Sequence, residues 1–220
     1  MSYLLNPSNY DLTDPSSIPN LLVQHLIIVG ISMLISLIIA IPLGILVARY
    51  QRLYFPVITT AGLLYTIPTM ALFGFLVPVP FIGLSITTII IPLIIYAQLA
   101  LIRNTAAAVN GIDPLLVEVA RAMGMNRWQV LLRVTLPLAL PVIVAGIRVA
   151  MVTSIGIASL AKLGGSDSLG DLIFLGISNI QNDQVIAGAI LISLLAVIAD
   201  LLLLAAQVVL NRGRSAISVA

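Results

Sequence analysis

Residues 21–48 read LLVQHLIIVGISMLISLIIAIPLGILVA, and His25 is the only ionisable side chain among them. A helix crosses a bilayer with about 20 mostly apolar residues. A strand would need a closed barrel and a period-two pattern, and the run shows no such alternation. Working outward, residues 56–77, 84–102, 136–160 and 185–210 meet the same test. The chain is therefore expected to be an all-α integral membrane protein with five transmembrane helices.

Composition agrees. Of 220 residues, 60% are hydrophobic and 8% charged, whereas a soluble domain carries roughly a quarter charged residues. Cysteine is absent, which excludes disulfides and thiolate metal sites. With one histidine and one glutamate, Glu118, the chain lacks most acid–base and metal constellations. Neither a catalytic group nor a metal site is expected. The net charge of +2 is too small to suggest nucleic acid. Residues 1–20 have no basic start and include Asp11 and Asp14, the wrong composition for a cleavable signal peptide. They read as an extracytoplasmic leader to a transmembrane domain over residues 21–212, followed by a cytoplasmic tail, 213–220.

Orientation follows from arginine. Arg49 and Arg52 separate the first two spans. Arg103, Arg121, Arg127 and Arg133 lie between the third and fourth, and Arg212 and Arg214 follow the fifth. Alternating spans put all of these at one end and Asp11, Asp14, Lys162, Asp167, Asp171 and Asp183 at the other. The positive-inside rule then places the N-terminus outside and the C-terminus in the cytoplasm. Pro42, Pro68, Pro92 and Pro141 read as ordinary kinks or as hinges of a bundle that rocks. Gly30, Gly44, Gly62 and Gly146 permit close helix contact.

The loop at about 110–135 carries its own shape. After Asn110-Gly111, Asp113 is a good N-cap and Pro114 suits the first helical position. A short helix should run from Pro114 to about Met123, and Gly124 should end it in the left-handed conformation. Asn126 starts a second helix, with Gln129 completing a capping box. Leu115, Leu116, Val119 and Met123 share one face, with Glu118 and Arg121 on another. Such a surface fits a groove on another protein. A membrane-surface amphipathic helix is the competing reading.

The string VEVARAMGMNRWQVLLRVTLP resembles the cytoplasmic signature of ATP-binding cassette importer permeases: Glu-Ala-Ala, three residues, Gly, nine residues, Ile, one residue, Leu-Pro. Here Glu118, Ala120, Gly124 and Leu136-Pro137 match in spacing, while Val119 stands for an alanine and Val134 for isoleucine. The resemblance implies a coupling helix between helices 3 and 4, seated in a cleft of a cytoplasmic ATPase. Asp113, Glu118, Ala120, Arg121, Gly124, Met125 and Asn126 would form the ATPase-coupling element. It implies two cytoplasmic ATPase subunits, a second permease subunit (an identical or a related chain) and an extracytoplasmic substrate-binding protein. It implies no cofactor in this chain, with ATP and Mg on the partner ATPase. The segments IRNTAAAVNGIDPLLVEVARAMGMNRW, GIRVAMVTSIGIASLAKLGG and LGDLIFLGIS are similar to permeases for glycine betaine, choline or carnitine. Methionine-type amino-acid permeases are the alternative.

Two charges lie inside the apolar runs. Arg148 is roughly 18 Å into the fourth span and Asp200 roughly 15 Å into the fifth, counted from the cytoplasmic end at 1.5 Å per residue. Charges at such depth seek partners, so the two are expected to form an intramembrane pair, either gating or bracing. His25 reads as an interfacial residue and Lys162 as a snorkelling one. Tyr65, Phe73 and Tyr96, together with Phe75, would line a translocation path by cation–π contact, or pack in the core. A short helix is expected within residues 164–184, capped by Asp167 or Ser168. A passive channel would call for a filter motif or a ring of like charge, and an intramembrane enzyme for a nucleophile and base in the spans. Neither pattern is visible.

Overall fold

The computed structural model describes residues 2–215, with side chains over residues 3–211. The side chains of Arg212 and Arg214, and the expected tail beyond Ser215, lie outside the described residues. A turn of helix, α1 (Ser2–Leu5), and a 3₁₀ turn (Pro7–Tyr10) precede the first long helix, α2 (Ile18–Arg49). Then come α3 (Gln51–Thr66), α4 (Thr69–Leu76), α5 (Ile86–Asn110), α6 (Pro114–Ala122) and α7 (Arg127–Val130). After α8 (Leu136–Ala158) and a 3₁₀ turn (Ala161–Gly164) come α9 (Gly170–Ser178) and α10 (Asn182–Ser215). No strand occurs among the described residues.

Four helices are long and apolar enough to cross a membrane, and the pair α3–α4 makes a fifth crossing if counted as one span. The helix α5 sits between α2 and α8, and α10 packs along α8. Met33, Ala40 and Val47 of α2 meet Leu101, Ile102 and Ala106 of α5 in one buried cluster. Ile28, Phe73, Leu93 and Ile155 form a second. Small residues set the spacing, as expected where lipid provides no hydrophobic drive between helices. A Cβ on Gly146 would stand 2.5 Å from Asn104 Cβ, and one on Gly44 would stand 2.5 Å from Thr105 Cβ. Gly30 and Gly62, expected to do the same, have nothing within 4 Å.

The second span departs from expectation. Residues 56–77 are not one helix, because α3 and α4 meet at 87°. Pro68 has no N–H to donate and forces the residue before it out of the helical region. Ile67 is accordingly extended, with φ −66° and ψ 126°. The Tyr96 hydroxyl donates to the freed Ile67 carbonyl. Pro42, Pro92 and Pro141 remain inside continuous helices. The third span also runs on past residue 102, to Asn110.

Candidate functional site

The loop between α5 and α8 is fixed at every turn. Asp113 Oδ1 accepts from the Leu115 N–H at 2.9 Å, directly before Pro114. At the far end of α6, Gly124 has φ +84°. Its N–H donates to the Arg121 carbonyl at 2.9 Å, and the Met125 N–H donates to the Ala120 carbonyl at 3.2 Å. Those are the two bonds of a Schellman stop. Asn126 then caps α7: its Oδ1 accepts from Gln129 N–H at 2.9 Å, while Gln129 Oε1 accepts from Asn126 N–H at 2.8 Å. The expected caps and stop are thus in place, with the helix ending at Ala122.

On α6, which packs against α7 and the turn that follows it, Ala120 is buried. Leu115, Leu116, Val119 and Met123 are 60, 46, 49 and 73% exposed, and Glu118 is exposed as well. The chain itself leaves this apolar face unburied. Beyond α7 the backbone passes through one π turn, Leu131–Thr135, in which the Leu136 N–H donates to the Leu131 carbonyl. Pro137 offers no N–H to the Arg133 carbonyl, so the ladder shifts register there. Despite this turn, residues from Arg127 to Ala158 form one continuous helical span. The loop helix is therefore joined through a single tight stop to a rod of roughly 48 Å.

Within the bundle, Arg148 of α8 grips Asp200 of α10 with both prongs: Nε donates to Oδ1 and Nη2 to Oδ2, each at 2.8 Å. The third donor, Nη1, reaches Gln207 Oε1 at 3.1 Å. The planar fork of arginine matches the carboxylate. Gln207 was not read from the sequence, although it lies seven residues from Asp200 and hence on the same helix face.

Of the aromatic residues considered for a path, Phe73 is packed in the core and Tyr96 is buried. The ring of Tyr65 is 44% exposed and meets Tyr96 edge-on at 5.6 Å, while Phe75 faces outward. Phe73 therefore does not line an open path in this conformation. His25, expected near the interface, is fully buried within the protein.

At the opposite end from the loop, Lys162 does not snorkel freely. Its Nζ lies 2.8 Å from both Asp167 Oδ1 and Asp171 Oδ2. Those two bonds push the lysine up to about 12. Lys162 holds Asp167 below the ordinary carboxylate value, whereas burial raises Asp171. Asp171 Oδ1 also accepts from Ser168 N–H, and Ser168 Oγ accepts from Gly170 N–H, so Ser168 rather than Asp167 bonds to the first turn of α9, whose N-cap position is Leu169.

A bundle of long apolar helices, with a capped loop helix offering an unburied apolar face, defines a polytopic membrane component. Comparison makes the class specific. Residues 40–214 match the family described as binding-protein-dependent transport system inner membrane component, and the chain belongs to that family. It is 40% identical over 206 residues to the osmoprotectant import permease protein OsmW of Salmonella typhimurium, covering 92% of this chain and 96% of the relative. It is 42% identical over 182 residues to the glycine betaine/carnitine/choline transport system permease protein OpuCD of Bacillus subtilis, covering 82% and 78%. Among solved structures, an inward-facing MetNI methionine ABC transporter chain superposes with a TM-score of 0.67 at 24% identity, covering 83% of this chain and 92% of that one. That likeness speaks to the fold.

Proposed function

We propose that this chain is the translocation subunit of an ATP-driven importer for a quaternary-ammonium osmoprotectant such as glycine betaine, choline or carnitine. The observation that carries the coupling role is the exposed apolar face of α6, capped at its start, stopped at Gly124, and joined there to the continuous span Arg127–Ala158. Closure of two cytoplasmic ATPase subunits pushes α6, and the rod Arg127–Ala158 carries the push into the bundle. Asp113, Gly124 and Asn126 hold the shape of the hook. Glu118 and Met125 meet the ATPase, Arg121 borders the groove at the loop end, and buried Ala120 seats α6, which packs against α7 and the π turn. ATP and Mg belong to the ATPase, not to this chain.

Arg49, Arg121 and Arg127 stand around one groove at the loop end, which supports a cytoplasmic loop and an outer N-terminus under the positive-inside rule. The Arg148–Asp200 bridge makes α8 and α10 move together. A second permease, identical or related, completes the pathway, and an extracytoplasmic binding protein delivers the solute. The substrate reading rests on likeness to an osmoprotectant import permease and a glycine betaine/carnitine/choline permease, at 40 and 42% identity. The methionine alternative has only the shared fold behind it.

Two measurements test this. A Met123→Cys variant carrying a photoreactive group on the new thiol should capture the ATPase subunit. Capture of nothing but lipid would sink the coupling role. Uptake of labelled glycine betaine should be competed by choline or carnitine and left unchanged by methionine. The reverse pattern would favour the amino-acid alternative.

A further inference from the structure

Taking the loop end as cytoplasmic, we infer that the groove between the end of α2 and the loop is a binding site for an anionic phospholipid. The groove has a volume of ≈ 860 Å³, and its rim carries Arg49, Arg121 and Arg127 together with Tyr50 and Trp128. No acidic residue lines it. None of the three arginines makes an ion pair among the described residues. Three arginines thus line a mostly aliphatic cleft without a counter-charge, the Arg49 guanidinium lying over the Tyr50 ring at 5.8 Å. The occupant they call for is anionic at one end and apolar along the rest.

Location chooses the source of that anion. Leu46 lines the groove and is 40% exposed, and along the same helix Ile38 and Ile39 are 66 and 40% exposed. The cleft therefore opens onto an exposed apolar surface of α2, along which an acyl chain can run. Tyr50 and Trp128, 53 and 72% exposed, stand at the level where amphipathic rings border headgroups. Arginine forks suit a phosphodiester, and basic pockets beside spans on the cytoplasmic side take anionic headgroups. A soluble anion would make no use of the aliphatic floor. An acidic segment of a partner subunit is the other occupant the test must separate.

The test uses the purified, detergent-solubilised full chain and phosphatidylglycerol with a photoreactive group near its headgroup. Label should map to peptides covering residues 45–50 and 127–131. Unlabelled phosphatidylglycerol should displace it, while phosphatidylcholine and inorganic phosphate should not. Arg49→Gln combined with Arg127→Gln should weaken competition about 30-fold, from two arginines near an anionic headgroup. Should that variant not assemble, the competition series on the unaltered chain decides alone. Label spread over the spans, equal displacement by phosphatidylcholine, or loss of groove labelling when the chain is purified together with its partner subunits would each overturn the inference. Labelling needs neither ATP nor substrate. It can therefore fail while ATPase capture and uptake succeed, and the reverse also holds.

Discussion

At the scale of single residues, the charges inside and outside the membrane make different predictions. Arg148 and Asp200 compensate each other in apolar surroundings, so removing either leaves a charge that lipid and neighbouring helices do not stabilise. Arg148→Met and Asp200→Leu should each lower the apparent melting temperature in detergent, on the order of 5 °C. The exchange Arg148→Asp with Asp200→Arg should recover part of that loss, and a double exchange no better than either single would deny a direct partnership. Outside the spans, the Lys162 cluster should respond to pH in a defined sense. Lys162 is raised from 10.5 to about 12, so its contribution is complete below 10.5 and lost as pH rises through about 12. Asp167 is lowered from 3.8, so its contribution is present above 3.8 and lost as pH falls through the lower native value. Asp171 is raised by burial and acts with the opposite sign, favouring the fold most when protonated, which blunts the acid loss. Hydrogen exchange over residues 161–171 should therefore stay protected at neutral pH and open on Lys162→Met. Unchanged protection in that variant would make the cluster incidental. The sequence exposed the Arg148–Asp200 match through depth and sign. It hid the burial of His25, because a residue near the start of a span can face lipid, headgroups or protein, and only the packing of neighbouring helices decides which.

At the scale of elements, the loop was legible because caps and stops are local. The side chain of Asp113 bonds two residues away, and Gly124 needs only its own left-handed φ. That makes Gly124 a sharp test. Space around its Cβ position is open, so any penalty comes from the backbone rather than a clash. Gly124→Val should cost about 1–2 kcal/mol in the αL conformation and reduce uptake severalfold, while Gly124→Asn, which tolerates αL, should retain most of it. Equal uptake by the two variants would show that the stop does not matter to coupling. The break between α3 and α4 was not legible. Pro42, Pro68, Pro92 and Pro141 look alike in sequence, yet only the turn at Pro68 opens to 87°. A distant residue distinguishes it, since Tyr96 of α5 satisfies the Ile67 carbonyl. Tyr96→Phe should cost about 1 kcal/mol and speed hydrogen exchange around residues 66–70, whereas exchange at the unaltered rate would place the cause of the bend elsewhere.

At the scale of the whole molecule, the continuity of residues 127–158 sets how far a push at the loop travels. An interrupted connection would let α6 move alone, as a flexible tether moves. A continuous helix pinned to α10 at Arg148 acts instead as a lever. By the helical rise, its arms are roughly 32 Å toward the loop and 15 Å toward the outer end. Displacement at the outer end should then be about half that at the loop and opposite in direction, provided the bridge serves as the pivot. Spin labels on Met123→Cys in two assembled permeases should draw together when the ATPases are trapped with nucleotide, and labels on Ser159→Cys should separate by about half as much. In the Arg148→Met variant the inner labels should still approach while the outer change shrinks, because α8 can then tilt without α10. If the outer labels follow the inner ones with the same sign, the helix translates as a body and the pivot is wrong. If they do not respond at all, the π turn at residues 131–135 absorbs the motion and the rod is not rigid under load.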